Sequence, residues 1–341
     1  MVSDLEIGVI GTGPIGCYLG GRLLAAGADV VFVGRTRAKL ELEEAGLSLA
    51  DLRGQTVHVA KDRIAFETDA ARLRGSGLVL CCVKSAQTAE VAEQLAAVLS
   101  PDAIVVSMQN GLRNRGVLRE RLKTQTSLGA IVGFNVVPKG AGSFRQTTAG
   151  SVIVEASPDP RVEHLVRALS RGGVETEVVD DIRAHQWAKL IMNLNNAVSA
   201  LSGAPSRDLV FVPGYRSIVA AVVTEALAVM RAAKVRPARL RGIPAHLFPI
   251  LLRLPTPLVK IVARSQLRID PEARSSMWED LSRGRATEVD DLNGEIVRLA
   301  ASCGAPAPLN GRLVELVHEV ERAGAGSPKL TPEAFRAALG I

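Results

Sequence analysis

The stretch that most limits what this chain can fold into is a glycine turn near its start, Gly11-Thr12-Gly13-Pro14-Ile15-Gly16. It follows the apolar run Ile7-Gly8-Val9-Ile10 and opens a helix-like segment. A second apolar run, Ala28-Asp29-Val30-Val31-Phe32-Val33, comes next. Strand, glycine turn, helix and strand in that order describe a dinucleotide-binding βαβ unit. Gly11 permits the tight turn off the strand. Gly13 lets the backbone approach a pyrophosphate, and Gly16 lets the helix sit close to the sheet. The six turn residues, Thr12, Pro14 and Ile15 included, are therefore candidate cofactor contacts. The pyrophosphate would rest on free N–H groups at the helix N-terminus, where the helix dipole favours negative charge.

The end of the second strand selects the cofactor. An acid there would hold the 2′-hydroxyl of NAD, whereas an arginine accommodates a 2′-phosphate. This chain has Gly34-Arg35-Thr36-Arg37 and no acid before Glu41. Arg35 can fork onto phosphate and stack on adenine, and Thr36 adds a hydroxyl donor. The reading is NADPH; the alternative is that Arg35 and Arg37 are solvated charges opening the next helix.

A chain of 341 residues is long enough for two domains with substantial cores. Its net charge of +6 comes with only 3% aromatic residues, too few for base stacking, so nucleic acid is not an expected partner. The positive balance suits an anionic cofactor and an anionic substrate. Cys17, Cys81, Cys82 and Cys303 have neither metal nor redox spacing and suit a reducing cytosol, so no metal is expected and the cytoplasm is the expected compartment. Asp4 and Glu6 lead directly into the first strand, which argues against a signal peptide. The most apolar later stretch, Ile243 to Val262, contains Pro244, Pro249, Pro255 and Pro257 with Arg253 and Lys260, so a membrane span is not expected.

Along the chain a helix near Ala38–Ala45 precedes an irregular stretch. A strand near Leu78–Val83, a helix over Ala86–Leu99 and a strand over Ala103–Ser107 follow. The alternation predicts an α/β fold with a parallel sheet covered on both faces. Ser127 to Glu155 reads as β-rich, with Val152-Ile153-Val154 a clear strand. Beyond Asp180 the pattern turns helical. The expected organisation is a Rossmann domain over 1–180 and an all-helical domain over 181–341, with the active site in the cleft between them.

Several polar residues stand out against this scaffold. Lys84 and Asn110 follow successive strands, at the end where such sheets bind ligands; a turn lysine and an Asn-Gly turn are the alternatives. Further on, Trp187 to Leu201 reads as one helix. Steps of about 100° place Lys189, Asn193 and Asn196 on one stripe of an otherwise apolar surface. Such groups are costly to bury without partners, and asparagine is a poor choice for mere solvation of a helix. Ser275-Ser276 begins another polar cluster. Thr287 looks like an N-cap that makes Glu288 the start of a helix; spacing alone leaves Glu288 a structural role.

Taken together, these pieces resemble the ketopantoate reductases (2-dehydropantoate 2-reductases) over nearly the whole chain. The match rests on the glycine turn, Arg35, Val83-Lys84, Gln109-Asn110-Gly111, Trp187-Ala188-Lys189-Leu190 with Asn193, and Ser275-Ser276-Met277 through Glu288-Val289-Asp290. The resemblance implies a helical domain related to that of 6-phosphogluconate dehydrogenase, NADPH as reductant, and Lys189 as the proton donor to the carbonyl oxygen. It also implies that Asn193, Asn196 and Ser276 hold the substrate, that Lys84 and Asn110 line the cleft, and that Glu288 touches the cofactor. The expected reaction is reduction of 2-dehydropantoate to pantoate, a step of pantothenate synthesis, by a homodimer. A reductase of a bulkier 2-oxo acid and a catalytically idle NADPH sensor are the competing readings. The chain departs from the family in three places. Asn196 lies three residues after Asn193 and precedes Ala197, where the family commonly has a spacing of four and a proline. Ser206 stands where some members carry another asparagine. The Arg239–Leu267 region is longer and more apolar than a minimal member needs.

Overall fold

A computed structural model describes residues 5–240, 242–266 and 274–341 of the chain. Asp4 and Leu267, which entered the sequence reading, lie outside the described residues. The chain divides into two compact units, Met1–Ile182 and Arg183–Ile341.

The first unit is a Rossmann-type α/β domain. Its strands are β1 (Glu6–Ile10), β2 (Asp29–Val33), β3 (Leu47–Ala50), β4 (Thr56–Val59), β5 (Ala65–Glu67), β6 (Leu78–Cys81), β7 (Ile104–Ser107), β8 (Thr126–Val132), β9 (Val136–Gly140), β10 (Ser143–Gln146), β11 (Val152–Glu155) and β12 (Thr176–Val179). Its helices are α1 (Pro14–Ala25), α2 (Thr36–Ala45), α3 (Thr88–Val98), α4 (Asn114–Arg121) and α5 (Pro160–Arg171). The main sheet runs β12-β11-β8-β7-β6-β1-β2-β5. From β8 to β5 every pairing is parallel, while β11 joins β8 antiparallel. Chain order reverses on either side of β1, between β2 and β6, which is where sheets of this kind open a ligand crevice.

Strand periodicity explains why both faces are covered. Ile7, Val9, Val30, Phe32, Leu78 and Leu80 point to one face and pack beneath α1 and α5. Their neighbours Ile10, Val31, Val33, Val79 and Cys81 point to the other, against Val91 and Leu95 of α3.

The stretch after α2, expected to be irregular, holds three short strands. β3 and β4 form a second sheet with β9 and β10, ordered β4-β3-β10-β9. Leu47 and Leu49 are buried, and Arg22 of α1 binds this sheet by donating to the Leu49 carbonyl at 3.1 Å. Each strand is only a few residues long and half polar. The partner that orders β3 is β10, nearly a hundred residues away, so no local pattern reveals the pairing.

The second unit contains α6 (Ile182–Asn193), α7 (Asn195–Ser202), α8 (Asp208–Phe211), α9 (Pro213–Ala232), α10 (Phe248–Leu252), α11 (Thr256–Gln266), α12 (Ser276–Ser282), α13 (Asn293–Cys303), α14 (Pro308–Ala323) and α15 (Pro332–Leu339). No strand occurs among its described residues. The centre is α9, whose Ile218, Val222, Ala226 and Val229 are buried. A polar node fixes the helices around it. Glu225 of α9 accepts the backbone N–H groups of Leu309 and Asn310 at 2.8 and 2.9 Å, capping α14. Asn310 in turn accepts from Asn293 of α13 at 3.0 Å. The acid at a helix N-terminus and the fully bonded Asn310 amide make burial of this node tolerable, while the Asn293 Oδ1 within it is buried without a hydrogen-bond partner among the described residues. No helix among the described residues is long and apolar enough to cross a membrane.

Gly16 gives this packing its most exposed dependence. A Cβ there would collide with the Gly11 carbonyl oxygen and press on Cys82. Because the first obstacle is backbone, Gly16→Ala is expected to destabilise the first unit by about 1–3 kcal/mol. The measurement is the urea midpoint; an unchanged midpoint would show that the turn can widen freely.

Candidate active site

In the first unit the candidate residues gather at the carboxyl end of the parallel strands. Gly11 adopts φ +97°, and a Cβ on it would sit 2.6 Å from the Val83 nitrogen. Gly13 differs: it is exposed, and a Cβ there would meet no atom within 4 Å. It is also the N-cap of α1, without a side-chain cap, and Pro14 follows it. The helix therefore begins with uncapped N–H groups facing open space, a cradle that fits a pyrophosphate. Thr12 packs against Gly34, which leaves no room for a Cβ on Gly34 and sets Arg35 beside the turn.

Arg35 is exposed at the end of β2, and no acid replaces it on that strand end. Neighbouring cations are already engaged: Arg37 pairs with Glu41 at 2.8 Å, and Lys39 with Glu67 at 3.0 Å. Among the described residues Arg35 has no carboxylate partner, so its guanidinium is available to an anion. Thr36 is exposed as the first residue of α2.

Lys84 and Asn110 are held by residues to which the sequence reading gave no role. The Gln109 side-chain amide donates to the Val83 carbonyl at 2.9 Å and to the Thr88 hydroxyl at 2.7 Å. Thr88 donates to Asn114 at 2.9 Å. Asn114 completes the circuit, donating to the Ser85 hydroxyl at 2.9 Å and to the Asn110 carbonyl at 2.6 Å. Gln109, Thr88 and Asn114 are buried. This network locks the loop after β6 to the loop after β7, fixing the backbone that carries Lys84 and Asn110. The available sequence clue was the run of polar residues at two apolar strand ends. Its partner, Thr88, begins a helix and gave no separate signal.

In the second unit the expected single helix is interrupted. α6 ends at Asn193 and α7 begins at Asn195, with Leu194 between them at φ −59° and ψ −22°. The backbone stays right-handed, so Lys189, Asn193 and Asn196 remain within two successive helices, but the helical ladder does not run unbroken through them. All three side chains are partly buried. Burial pushes the Lys189 ammonium down to about 8, while the negative charge of Glu288 acts in the opposite sense.

The serines divide their tasks. Ser275 is buried, caps α12 by accepting from the Trp278 N–H at 3.1 Å, and donates to the Asn196 carbonyl at 3.3 Å. Ser276, the expected substrate residue, is exposed as the first residue of α12. The link between α12 and α7 thus runs through Ser275. Glu288 does not start an α-helix as expected. It precedes a short 3-10 turn, Val289–Asp291, and α13 begins at Asn293. The N-cap of this turn is Glu288 rather than Thr287 as expected, although the Thr287 hydroxyl accepts from the Val289 N–H at 3.2 Å. Asp290 and Asp291, poor helix formers that favour turns, suit the tight turn over a longer helix.

The cysteines take no part in this chemistry. All four are free; burial raises the Cys17 and Cys81 thiols to about 12, leaving them unreactive. Among the described residues no cluster of His, Cys, Asp or Glu could hold a metal ion.

Comparison with known proteins places this arrangement in a family. Residues 7–159 match the family model described as ketopantoate reductase PanE/ApbA, and residues 181–321 match its C-terminal counterpart. The 2-dehydropantoate 2-reductase of Halobacterium salinarum is 29% identical over 94% of this chain and 100% of its own length. That of Pyrococcus horikoshii is 28% identical over 95% of this chain and 100% of its own. A crystal structure of a PanE/ApbA family ketopantoate reductase from Ralstonia eutropha superposes with a TM-score of 0.79 at 31% identity, covering 94% of this chain and 99% of that one. The fold is shared more widely: D-mandelate dehydrogenase, solved with NADH and anilino(oxo)acetate, aligns with a TM-score of 0.73 at 21% identity over 94% of this chain and 99% of its own. The chain belongs to the ketopantoate reductase PanE/ApbA family.

Proposed function

We infer that this member of the family reduces 2-dehydropantoate to pantoate at the expense of NADPH. The observation that carries the reading is Lys189, a partly buried ammonium whose pKa is brought down to about 8 among asparagines. A dinucleotide-binding protein without chemistry has no need of such a group, whereas a carbonyl reductase does. Relatives named 2-dehydropantoate 2-reductase along the full length of the chain support the substrate. A cytoplasmic homodimer belongs to the same proposal, supported by the free cysteines and the family resemblance.

The residues present suit the cofactor. The uncapped start of α1 would hold the pyrophosphate, and Arg35 would hold the 2′-phosphate that distinguishes NADPH from NADH. When bound, NADPH supplies the hydride. Lys84 and Asn110, kept in place by Gln109 and Asn114, are assigned to the nicotinamide side. Glu288 is assigned a cofactor contact, and its charge also helps to keep Lys189 protonated.

As the carbonyl carbon of the 2-oxo acid is reduced, its oxygen gains negative charge. Lys189 Nζ donates a hydrogen bond to that oxygen and then the proton that makes the alcohol. With its pKa near 8 the ammonium is charged at neutral pH and yet gives up a proton more readily than an exposed lysine. Asn193 and Asn196 orient the substrate through amides that donate and accept, and Ser276 adds a hydroxyl.

NADPH absorbance followed with 2-dehydropantoate and a panel of other 2-oxo acids tests the substrate directly. Lys189→Ala is expected to lower kcat/KM at least ~10²-fold while leaving NADPH affinity intact. Lys189→Arg should not restore turnover, because a guanidinium gives up its proton poorly. Near-normal turnover by Lys189→Ala at saturating 2-dehydropantoate would remove Lys189 from the mechanism. Separately, Arg35→Ala should weaken NADPH by about 1.5–3 kcal/mol and NADH little. Equal losses for the two cofactors would show that Arg35 does not read the 2′-phosphate.

A further inference from the structure

Charge is distributed unevenly along this chain. Between Ala226 and Ile269 there are nine lysines and arginines and no aspartate or glutamate, so this one stretch outweighs the chain's entire net charge of +6. Part of it forms a cavity of about 690 Å³ at the carboxyl end of α9. Met230, Val235 and Pro244 contribute apolar wall, while Arg231, Lys234, Arg236, Arg239 and His246 bring cationic or titratable groups to the same space. No carboxylate lines it among the described residues.

Helix-end electrostatics accounts for only part of this. Cations near a helix carboxyl end complement the dipole, and Arg231 and Lys234 occupy such positions. The effect fades within a turn, so it does not explain Arg236, Arg239 and His246. Arg239 donates to the Gly242 carbonyl at 3.2 Å, which turns one guanidinium toward its own loop without neutralising it. Lys234 also adopts φ +57°, a left-handed conformation in which glycine would be the unstrained choice. Like charges gathered around one cavity repel each other until an anion enters.

We propose that this cavity is a binding site for a small molecule carrying two or more phosphate groups, separate from the glycine turn and α1 N-terminus. A single carboxylate, such as that of a 2-oxo acid, would leave most of these cations uncompensated; a polyphosphate engages several at once. The apolar wall gives a non-phosphate portion of the ligand a surface to cover, and the volume lies within the usual range for small-molecule sites, roughly 300–1,000 Å³.

The test is calorimetric titration of inorganic tripolyphosphate into the NADPH-saturated protein, so that the glycine turn is already filled. The expected result is saturable binding of one tripolyphosphate per chain, at least ~10-fold tighter than sulfate at equal ionic strength. Lys234→Gly combined with Arg236→Gln should weaken tripolyphosphate at least ~10-fold. Glycine relieves the left-handed backbone at 234, so misfolding would not account for the loss. Arg35→Ala should bind tripolyphosphate as the unaltered chain does. No saturable binding, or equal binding by the double variant, would overturn the proposal. So would loss of binding in Arg35→Ala, which would return the anion to the cofactor turn. NADPH oxidation is a separate readout, so failure here leaves the reductase reading untouched.

Discussion

The close approach of backbone to backbone around Gly11 governs the first unit. Gly11 donates to the Val33 carbonyl at 2.9 Å, and Cys82 donates to the Ile10 carbonyl at 2.8 Å. The ends of β1, β2 and β6 are thereby drawn into one place, and no side chain fits at the centre. Opening at the same end are the uncapped start of α1, the exposed Arg35 and the loop bearing Lys84. A network of neutral side chains, Gln109, Thr88 and Asn114, then adds the Asn110 loop. Rigid secondary structure thus fixes the position of short polar loops, an arrangement that would suit catalysis because positioning is costly to achieve with loops alone.

The second unit meets a different constraint. A lysine is expensive to bury as a cation, and here burial brings its pKa down while Glu288 opposes the loss of its proton. The balance leaves an ammonium that is still mostly charged at neutral pH but gives up its proton more readily than an exposed lysine. Interruption at Leu194 places Asn193 and Asn195 at a helix end and a helix start, where asparagine is less unfavourable than in a helix interior. Asn193, which looked anomalous in a continuous helix, sits at a terminus.

Much of this was legible in the sequence because the signals are local. The glycine turn, the apolar runs of β1, β2, β6 and β7, and the helical periodicity beyond Asp180 each lie within a single window. Arg35 and the stripe of Lys189, Asn193 and Asn196 were singled out as candidates from residue type and spacing. What stayed hidden depends on distant partners. β3 is ordered by β10, Gln109 acquires its role from Thr88 and Asn114, and Ser275 matters through the Asn196 carbonyl. The helix break at Leu194 and the 3-10 turn after Glu288 were missed because side-chain periodicity continues through them. The cationic cavity was partly visible as an acid-free stretch, but only the fold shows that five of its residues share one space.

The pH dependence of the reduction tests the role of Lys189 most directly. A proton donor must be protonated to act, so kcat/KM for 2-dehydropantoate should be level below its pKa and fall as pH rises through about 8. In Lys189→Ala the residual rate should lack that inflection. A wild-type profile that stays level well above pH 8, or the same inflection in Lys189→Ala, would contradict the assignment of the proton to Lys189.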